Sequence, residues 1–490
     1  MRYNRFHKDN NFLTPTTYTQ ELSEYTVNLK YEDIPAEVIE RAKMIMLQTI
    51  GVTLAARSTP ISEKVREMSR EANGGLGGPT TVWGTGEKLA PVNAALALGT
   101  MSDSLDWEDC SWTGHPSAGI IPCAWLASEE KHKSGKDLLT AIVAGYEVYQ
   151  RIAMAVQPSD LRWKTKGWGL TSWQIFGCII PIAKLYGFDA RKVNQAIGVG
   201  CESSTLPTAY HATTMSDFYH YEHGYRARDG FMIAKAVEKG IHNQLDALDE
   251  PRCYTGVICG DDANNGSGET RVVSGEADIS WFTKDLGTRY LTMETLMKHW
   301  PANMWVQTTA EIVADLRKEH GFGPEDVEEI IVDPPVAERM WAPAEGFTSV
   351  THAQFSIPFV VAAMLYDPNP GAQWFTKENM VNPKVLALAQ RIHGGESPTD
   401  SPLTGFKQFR TGSYPMKTVT IKLKNGEVFQ KSMDAHPGHP KNMMTREQFV
   451  ERFRVQAAPV LQGEKLEKAI EVLCNIENCE DIASLGSLLS

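Results

Sequence analysis

Pairing patterns are missing from the cysteines. The chain has eight, with no C-x-x-C pair and no zinc-ribbon spacing, which argues against a redox motif or a structural zinc site. Cys123 and Cys178 fall in apolar helical stretches and read as reduced, buried thiols of a cytoplasmic protein. Positive charge is also short. There are 48 Lys and Arg against 60 Asp and Glu, for a net charge of −12 and a pI near 5.6. Such a chain is a poor ligand for nucleic acid or an anionic membrane surface, so an anionic substrate must be held by local cations. No apolar run approaches the roughly 20 residues that span a bilayer. The opening MRYNRFHKDNNFLTPTTYTQ has no apolar core and is not expected to act as a signal peptide. NGGLGGP (73–79) and GTGEK (84–88) lack the G-K-[ST] ending of a phosphate loop, so with TTVW between them they predict turn, strand, turn. No Rossmann fingerprint or nucleophile elbow is present.

What remains is an ordinary globular composition, 42% hydrophobic and 22% charged over 490 residues, enough for two large domains. Residues 1–16 read as a polar extended arm. Helical periodicity then dominates to about residue 283. EVIERAKMIMLQTIGVTLAA (37–56) sets Val38, Ala42, Met46 and Ile50 close to one face, and PVNAALALGTMSDSLD (91–106) is small-faced, as close helix packing requires. After Phe282 the pattern changes. VEEIIVDPP (327–335) reads as a strand stopped by prolines, and YPMKTVTIKLKNGEVFQKSMD (414–434) reads as a hairpin turning at Asn425-Gly426. Helical stretches at 303–320, 352–366 and 382–392 make this an α+β module, and the chain closes with two further helices.

Four clusters could carry chemistry. In SDSLDWEDCSWTGHPSA (102–118), Asp103, Asp106, Glu108 and Asp109 crowd a helix end, and His115 opens the next helix. An acid beside a histidine fixes its tautomer and raises its basicity, which suits proton transfer near neutral pH. The plainer alternative is a solvated helix end. YHATTMSDFYHYEHGYRARDG (210–230) interleaves His211, His220, His223, Arg226 and Arg228 with tyrosines. It predicts anion-binding cations ahead of a metal shared by His220 and His223, which lacks a third ligand. In MKHWPANMWVQTTA (297–310), Lys298 precedes a helix start that favours anions. DAHPGHPKN (434–442) reads as a proline-bent connector.

In this order and spacing the clusters resemble the MmgE/PrpD family. The resemblance runs from about residue 20 to 461 through NAALALGTMSDSLDWED…GHPSA, IAKLYGFDARKVNQAIGVG, YRARDGFMIAKAVEKG, HWPANMWVQT and VTIKLKNGEVF…HPGHPKN. It implies a mainly α fold: a helical domain from residues 17–283 plus 438–490, with a smaller α+β lid at 284–437. It also implies a homodimer without metal or organic cofactor, and a site between domain and lid. The activity implied is a cofactor-independent lyase that abstracts a proton next to the carboxylate of a small acid, with dehydration ahead of decarboxylation or epimerisation. A catalytically silent binding protein is the alternative from another class. By resemblance His115 is the acid–base group and Asp106 its orienter. The sequence departs from the family at three places. GWGLTSW (167–173) puts Trp168 or Gly169 where a histidine is frequent; Tyr219 or His220 stands where decarboxylases carry lysine; Gln307 falls near another family histidine. Tyr219 or His220 is therefore the expected second proton carrier, Arg226 or Lys298 a carboxylate clamp, and Trp168 and Gln307 further substrate contacts.

Overall fold

The computed structural model describes residues 16–111, 114–156, 171–204, 215–250, 252–259, 278–399 and 416–490. The expected arm, save Thr16, and Trp168 lie outside the described residues. The N-terminal part is helical: α1 Tyr18–Asn28, α2 Ala36–Ala55, α3 Pro60–Ala72, α4 Pro91–Asp103, α5 Pro116–Glu130, α6 Gly135–Val156, α7 Gln174–Leu185, α8 Ala190–Ser203, α9 Phe218–Glu238 and α10 Tyr254–Cys259. Thr17, Thr59 and Asp189 cap α1, α3 and α8 through their side-chain oxygens. TTVW yields only a two-residue strand, β1 Thr80–Thr81, paired with β2 Lys88–Leu89.

One crossing in this bundle decides where the chemistry sits. α4 and α9 touch backbone to backbone. A Cβ on Gly99 would lie 2.8 Å from Gly224 Cα, and one on Gly224 would lie 2.1 Å from the Leu96 carbonyl oxygen. Only glycine at both positions allows this approach. One turn beyond the crossing, Gly99 is followed by Asp103 and Gly224 is preceded by His220, so acid and base arrive on facing surfaces.

Two short strands then tie this region to the second part of the chain. β3 Asp109–Cys110 pairs antiparallel with β4 Leu296–Met297, and the Lys298 amide donates to the Glu108 carbonyl at 3.1 Å. α11 Met304–His320, strand β5 Val327–Asp333, helices α12 Val350–Phe355, α13 Ile357–Tyr366, α14 Lys377–Met380 and α15 Pro383–Ala389, and strands β6 Ile392–Gly394, β7 Lys417–Leu423 and β8 Val428–Met433 follow. The sheet order is β6-β5-β7-β8, parallel only between β5 and β6. The helix expected over 352–366 breaks in two because Ser356 caps α13, with Pro358 in its first turn.

Two hydrophobic cores result. The first joins α1–α10 to the C-terminal helices α16 Arg446–Ala457 and α17 Gly463–Cys474 through Phe449, Phe453 and Leu473. The second runs from Trp300 to Leu423 and takes Val52, Leu105 and Trp107 from the first part. The site segment 104–111 thus lies where the cores meet.

Candidate active site

Asp103 ends α4 fully buried and is the hub. Its Oδ1 accepts from His115 Nδ1 and its Oδ2 from His220 Nδ1, both at 2.6 Å. His223 Nε2 lies 3.4 Å from the same Oδ1. The His115 ring is stacked on His223, 5.5 Å between centroids at 4°. His115 is the N-cap of α5 yet makes no capping bond, because its Nδ1 faces Asp103 and Glu108, the latter at 2.8 Å. Tyr219 covers the other nitrogen, with its hydroxyl 3.1 Å from His115 Nε2.

Lys298 enters from β4, fully buried, and bonds Asp106 Oδ1 and, at 2.5 Å, Glu108 Oε1. Asp106 adopts φ 50°, a left-handed conformation unusual outside glycine. His220 Nε2 meets Gln354 Oε1 at 3.0 Å, and Gln354 Nε2 donates to the Ser104 carbonyl at 3.0 Å. That second bond fixes the amide, so its oxygen faces His220. Both ring nitrogens of His220 then act as donors, and the ring is an imidazolium.

The electrostatics follow. Burial and Lys298 oppose charge on His115, but Asp103 and Glu108 outweigh them and raise its pKa well above the ordinary value. Burial likewise opposes charge on His220, and the bond from Asp103 raises it. Asp103 resists burial through His223, His115 and His220 and stays well below the carboxylate range. Burial pushes Glu108 up to about 7 against Lys298. His223 is lowered to about 4 by burial, against Asp103. Burial and the charges of Asp106, Asp103 and Glu108 hold the Tyr219 phenol well above its usual value, so it keeps its proton.

His115, Tyr219 and His220 converge. The orienting acid nearest His115 is Asp103; Asp106 Oδ1 stands 3.8 Å off and serves Lys298. Lys298 is accordingly an internal counter-ion, its charge upheld against burial by Asp106 and Glu108. Gln307 is a brace: its Oε1 accepts from the His299 and Trp300 amides and its Nε2 donates to the Trp300 and Ala302 carbonyls. Arg226 donates to the Ser203 carbonyl at 3.2 Å and reaches Asp229 at 3.5 Å. Gln354 has no sequence signal, since nothing local marks a glutamine as a histidine's partner.

Two sets of ligand atoms, Asp103–His115–His223 and Asp106–Glu108–His115, lie within 4.8 Å of one another. Both need His115, and the second is already filled by the Lys298 ammonium. Beside the cluster a cleft of about 950 Å³ opens between the two cores. His220, Ser104 and Trp107 line it from one side, Val350 and Phe375 from the other, and Lys64 and Lys377 are matched by Asp217 and Glu378.

Residues 20–266 match the MmgE/PrpD N-terminal domain and residues 300–477 the MmgE/PrpD C-terminal domain. The chain belongs to the MmgE/PrpD family. Relatives within it include the cis-aconitate decarboxylase of Homo sapiens, 24% identical over 94% of this chain and 92% of that protein. Cis-aconitate decarboxylase of Aspergillus terreus is 24% identical over 96% of both chains, and that of Mus musculus 25% over 94% and 91%. These agree with the expected lyase acting on a small carboxylic acid, and with its decarboxylase alternative. No helix among the described residues is long and apolar enough to cross a membrane.

Proposed function

We propose that this MmgE/PrpD member removes CO₂ from a small unsaturated polycarboxylate of the cis-aconitate kind, without a metal or organic cofactor. The observation that carries the reading is the line Asp103–His115–Tyr219. A cationic imidazole is held at one nitrogen by carboxylates and at the other faces a protonated phenol. The C–C bond to the departing carboxylate breaks, and its electron pair stays on carbon. The Tyr219 hydroxyl delivers the proton that quenches this carbanion, and His115 Nε2–H reprotonates the phenolate. The imidazolium also offsets the negative charge that develops. His220, fixed between Asp103 and Gln354, serves as a stationary cation rather than the carrier. Loss of CO₂ is preferred to loss of water because relatives matching over nine-tenths of the chain are decarboxylases by name. Lys298 in the second ligand set supports metal independence.

A homodimer in the cytoplasm completes the reading. The site-bearing helix α9 exposes Phe218 at 42% and Met232 at 54%, and all eight cysteines are free thiols. A monomer mass by light scattering at micromolar concentration would count against the dimer.

The test of the reaction is incubation with cis-aconitate in D₂O. The expected result is CO₂ release with one deuterium on the product carbon. Deuterium exchange without CO₂ would show proton abstraction without decarboxylation, and water addition without CO₂ would favour the dehydratase reading, run in reverse.

A further inference from the structure

The mechanism leaves the substrate's carboxylates short of a cation. Lys298 is taken by Asp106 and Glu108, Arg226 reaches Asp229, and His220 is held between Asp103 and Gln354. Lys64 and Lys377 stand at the cleft, and among the described residues Arg339 is a further cation near Tyr219 that no carboxylate holds. Arg339 ends the short 3-10 turn Ala337–Arg339 that follows β5. Its guanidinium lies over the Phe355 ring, 4.7 Å from the centroid. Phe355 in turn meets the Tyr219 ring edge-on, at 5.1 Å and 88°. Arg339 is therefore one aromatic ring removed from the ring of Tyr219, the residue that faces His115.

Its hydrogen bonds are incomplete. Nη1 donates to the Glu338 carbonyl at 3.1 Å, while Nε is closed off from solvent with no partner among the described residues. Among the described residues no carboxylate pairs with Arg339. Burial pulls the guanidinium below its ordinary range, while Glu338, Tyr219 and Asp106 favour its charge. A sealed, unpaired guanidinium N–H is costly to leave so. The turn that carries it is braced, since Trp341 Nε1 donates to the same Glu338 carbonyl at 3.0 Å. With Nη1 engaged, the edge left over is Nε with Nη2, whose two parallel donors match the two oxygens of a carboxylate.

We propose that Arg339 is a substrate carboxylate subsite: its Nε–Nη2 edge takes a carboxylate other than the one that leaves, and so selects polycarboxylates over monocarboxylates. The inference rests on the lyase reading above only for the identity of the site, not for the reaction.

Binding and turnover separate the two. Propane-1,2,3-tricarboxylate and butyrate are titrated calorimetrically into the wild-type chain, Arg339→Gln and Arg339→Lys, with melting temperatures recorded. The tricarboxylate is expected to bind the wild type and to weaken at least about tenfold in Arg339→Gln, a loss fitting one charge-assisted bidentate pair. Arg339→Lys keeps the charge but not the fork and should fall between. Butyrate binding should not change across the three. Should Arg339→Gln fail to fold, Arg339→Lys decides, and affinity equal to the wild type overturns the subsite. Equal tricarboxylate affinity in folded Arg339→Gln overturns it too, as does a wild type that binds no tricarboxylate. A wild type that binds the tricarboxylate through Arg339 but releases no CO₂ from cis-aconitate sinks the decarboxylase reading and leaves the subsite standing.

Discussion

Two histidine clusters sit where the cores meet, and their chemistry is opposite. In the first, His115 and His220 share Asp103, and both are raised despite complete burial. In the second, the turn 434–442 brings His436 and His439 to 6.1 Å between centroids. There burial, then the neighbouring His439, His299 and Arg452, drive His436 well below its ordinary value, and His439 falls to about 4 through burial and Lys441. Burial acts the same way in both; in the first Asp103 outweighs it, while in the second Asp434 favours charge on His439 without offsetting burial. A histidine count therefore says nothing about charge, and one aspartate converts a neutral structural pair into a charged, proton-transferring one.

The most damaging way to break the contrast is to remove the shared acid. Asp103→Asn keeps the shape and withdraws the charge from both rings. Turnover should fall about 10²–10⁴-fold, as should that of His115→Ala. The pKa of His115, followed by NMR, should drop in Asp103→Asn. Because His115 is raised in the folded state, wild-type activity should persist through neutral pH and decline as pH rises through that folded value. Asp106→Asn should leave the His115 titration closer to wild type. If Asp106→Asn collapses it and Asp103→Asn does not, the orienter is Asp106 after all. Tyr219→Phe should match the His115→Ala loss, with His220→Gln well short of it.

Next in size is the counter-ion. Lys298→Met strands Asp106 and Glu108 in a buried site, and breaking such a pair costs about 3–5 kcal/mol. Urea unfolding at pH 7 reads this directly. Since Glu108 lies near 7 even with Lys298 present, its loss should make Glu108 take up a proton, so the deficit should shrink as pH falls. A deficit below about 1 kcal/mol would place the pair among weak surface bridges.

The second cluster titrates in the opposite sense. His436 and His439 have folded values below the unfolded one, so the unfolded chain binds the extra protons. Their stabilising contribution is present above about pH 6.5 and is lost as pH falls toward 4. His439→Gln should remove part of that acid sensitivity, on the order of 2 kcal/mol between those limits, with little change at pH 8. An unchanged acid limb of the urea-unfolding profile would show that His439 is solvated.

The sequence carried much of this and stopped at identifiable points. Helical periodicity, the α+β change after Phe282 and the hairpin at Gly426 all came from local pattern. The small-faced stretch 91–106 pointed to close packing, which Gly99 provides against Gly224. The acid cluster and His115 were visible together, but Asp103 could not be told from Asp106. That choice depends on the left-handed turn at Asp106 and on Lys298 arriving from 192 residues away. Lys298, Arg226 and Gln307 read as substrate contacts because residue type shows charge and donors, not what satisfies them. Gln354 and Arg339 come from the second part of the chain, and only the folded junction brings them to α9.

His223 gives the finest test, because it belongs to the first cluster by position and to the second by behaviour. Among the described residues neither of its buried ring nitrogens has a hydrogen-bond partner, it stacks on His115, and it is held near 4 beside two charged imidazoles. Neutral at working pH, it has no proton to give. Its place between His115 and α4 is then one of shape. His223→Leu should keep turnover within about tenfold of the wild type, well short of the loss assigned to a general acid. Stability at pH 8 should change by less than about 1.5 kcal/mol, as in volume-conserving core exchanges. The same variant should lose acid sensitivity between pH 6.5 and 4, since the unfolded chain no longer gains that proton. A turnover loss as large as that of His115→Ala would make His223 a working member of the relay. Its apparent neutrality would then be a property of the resting site alone.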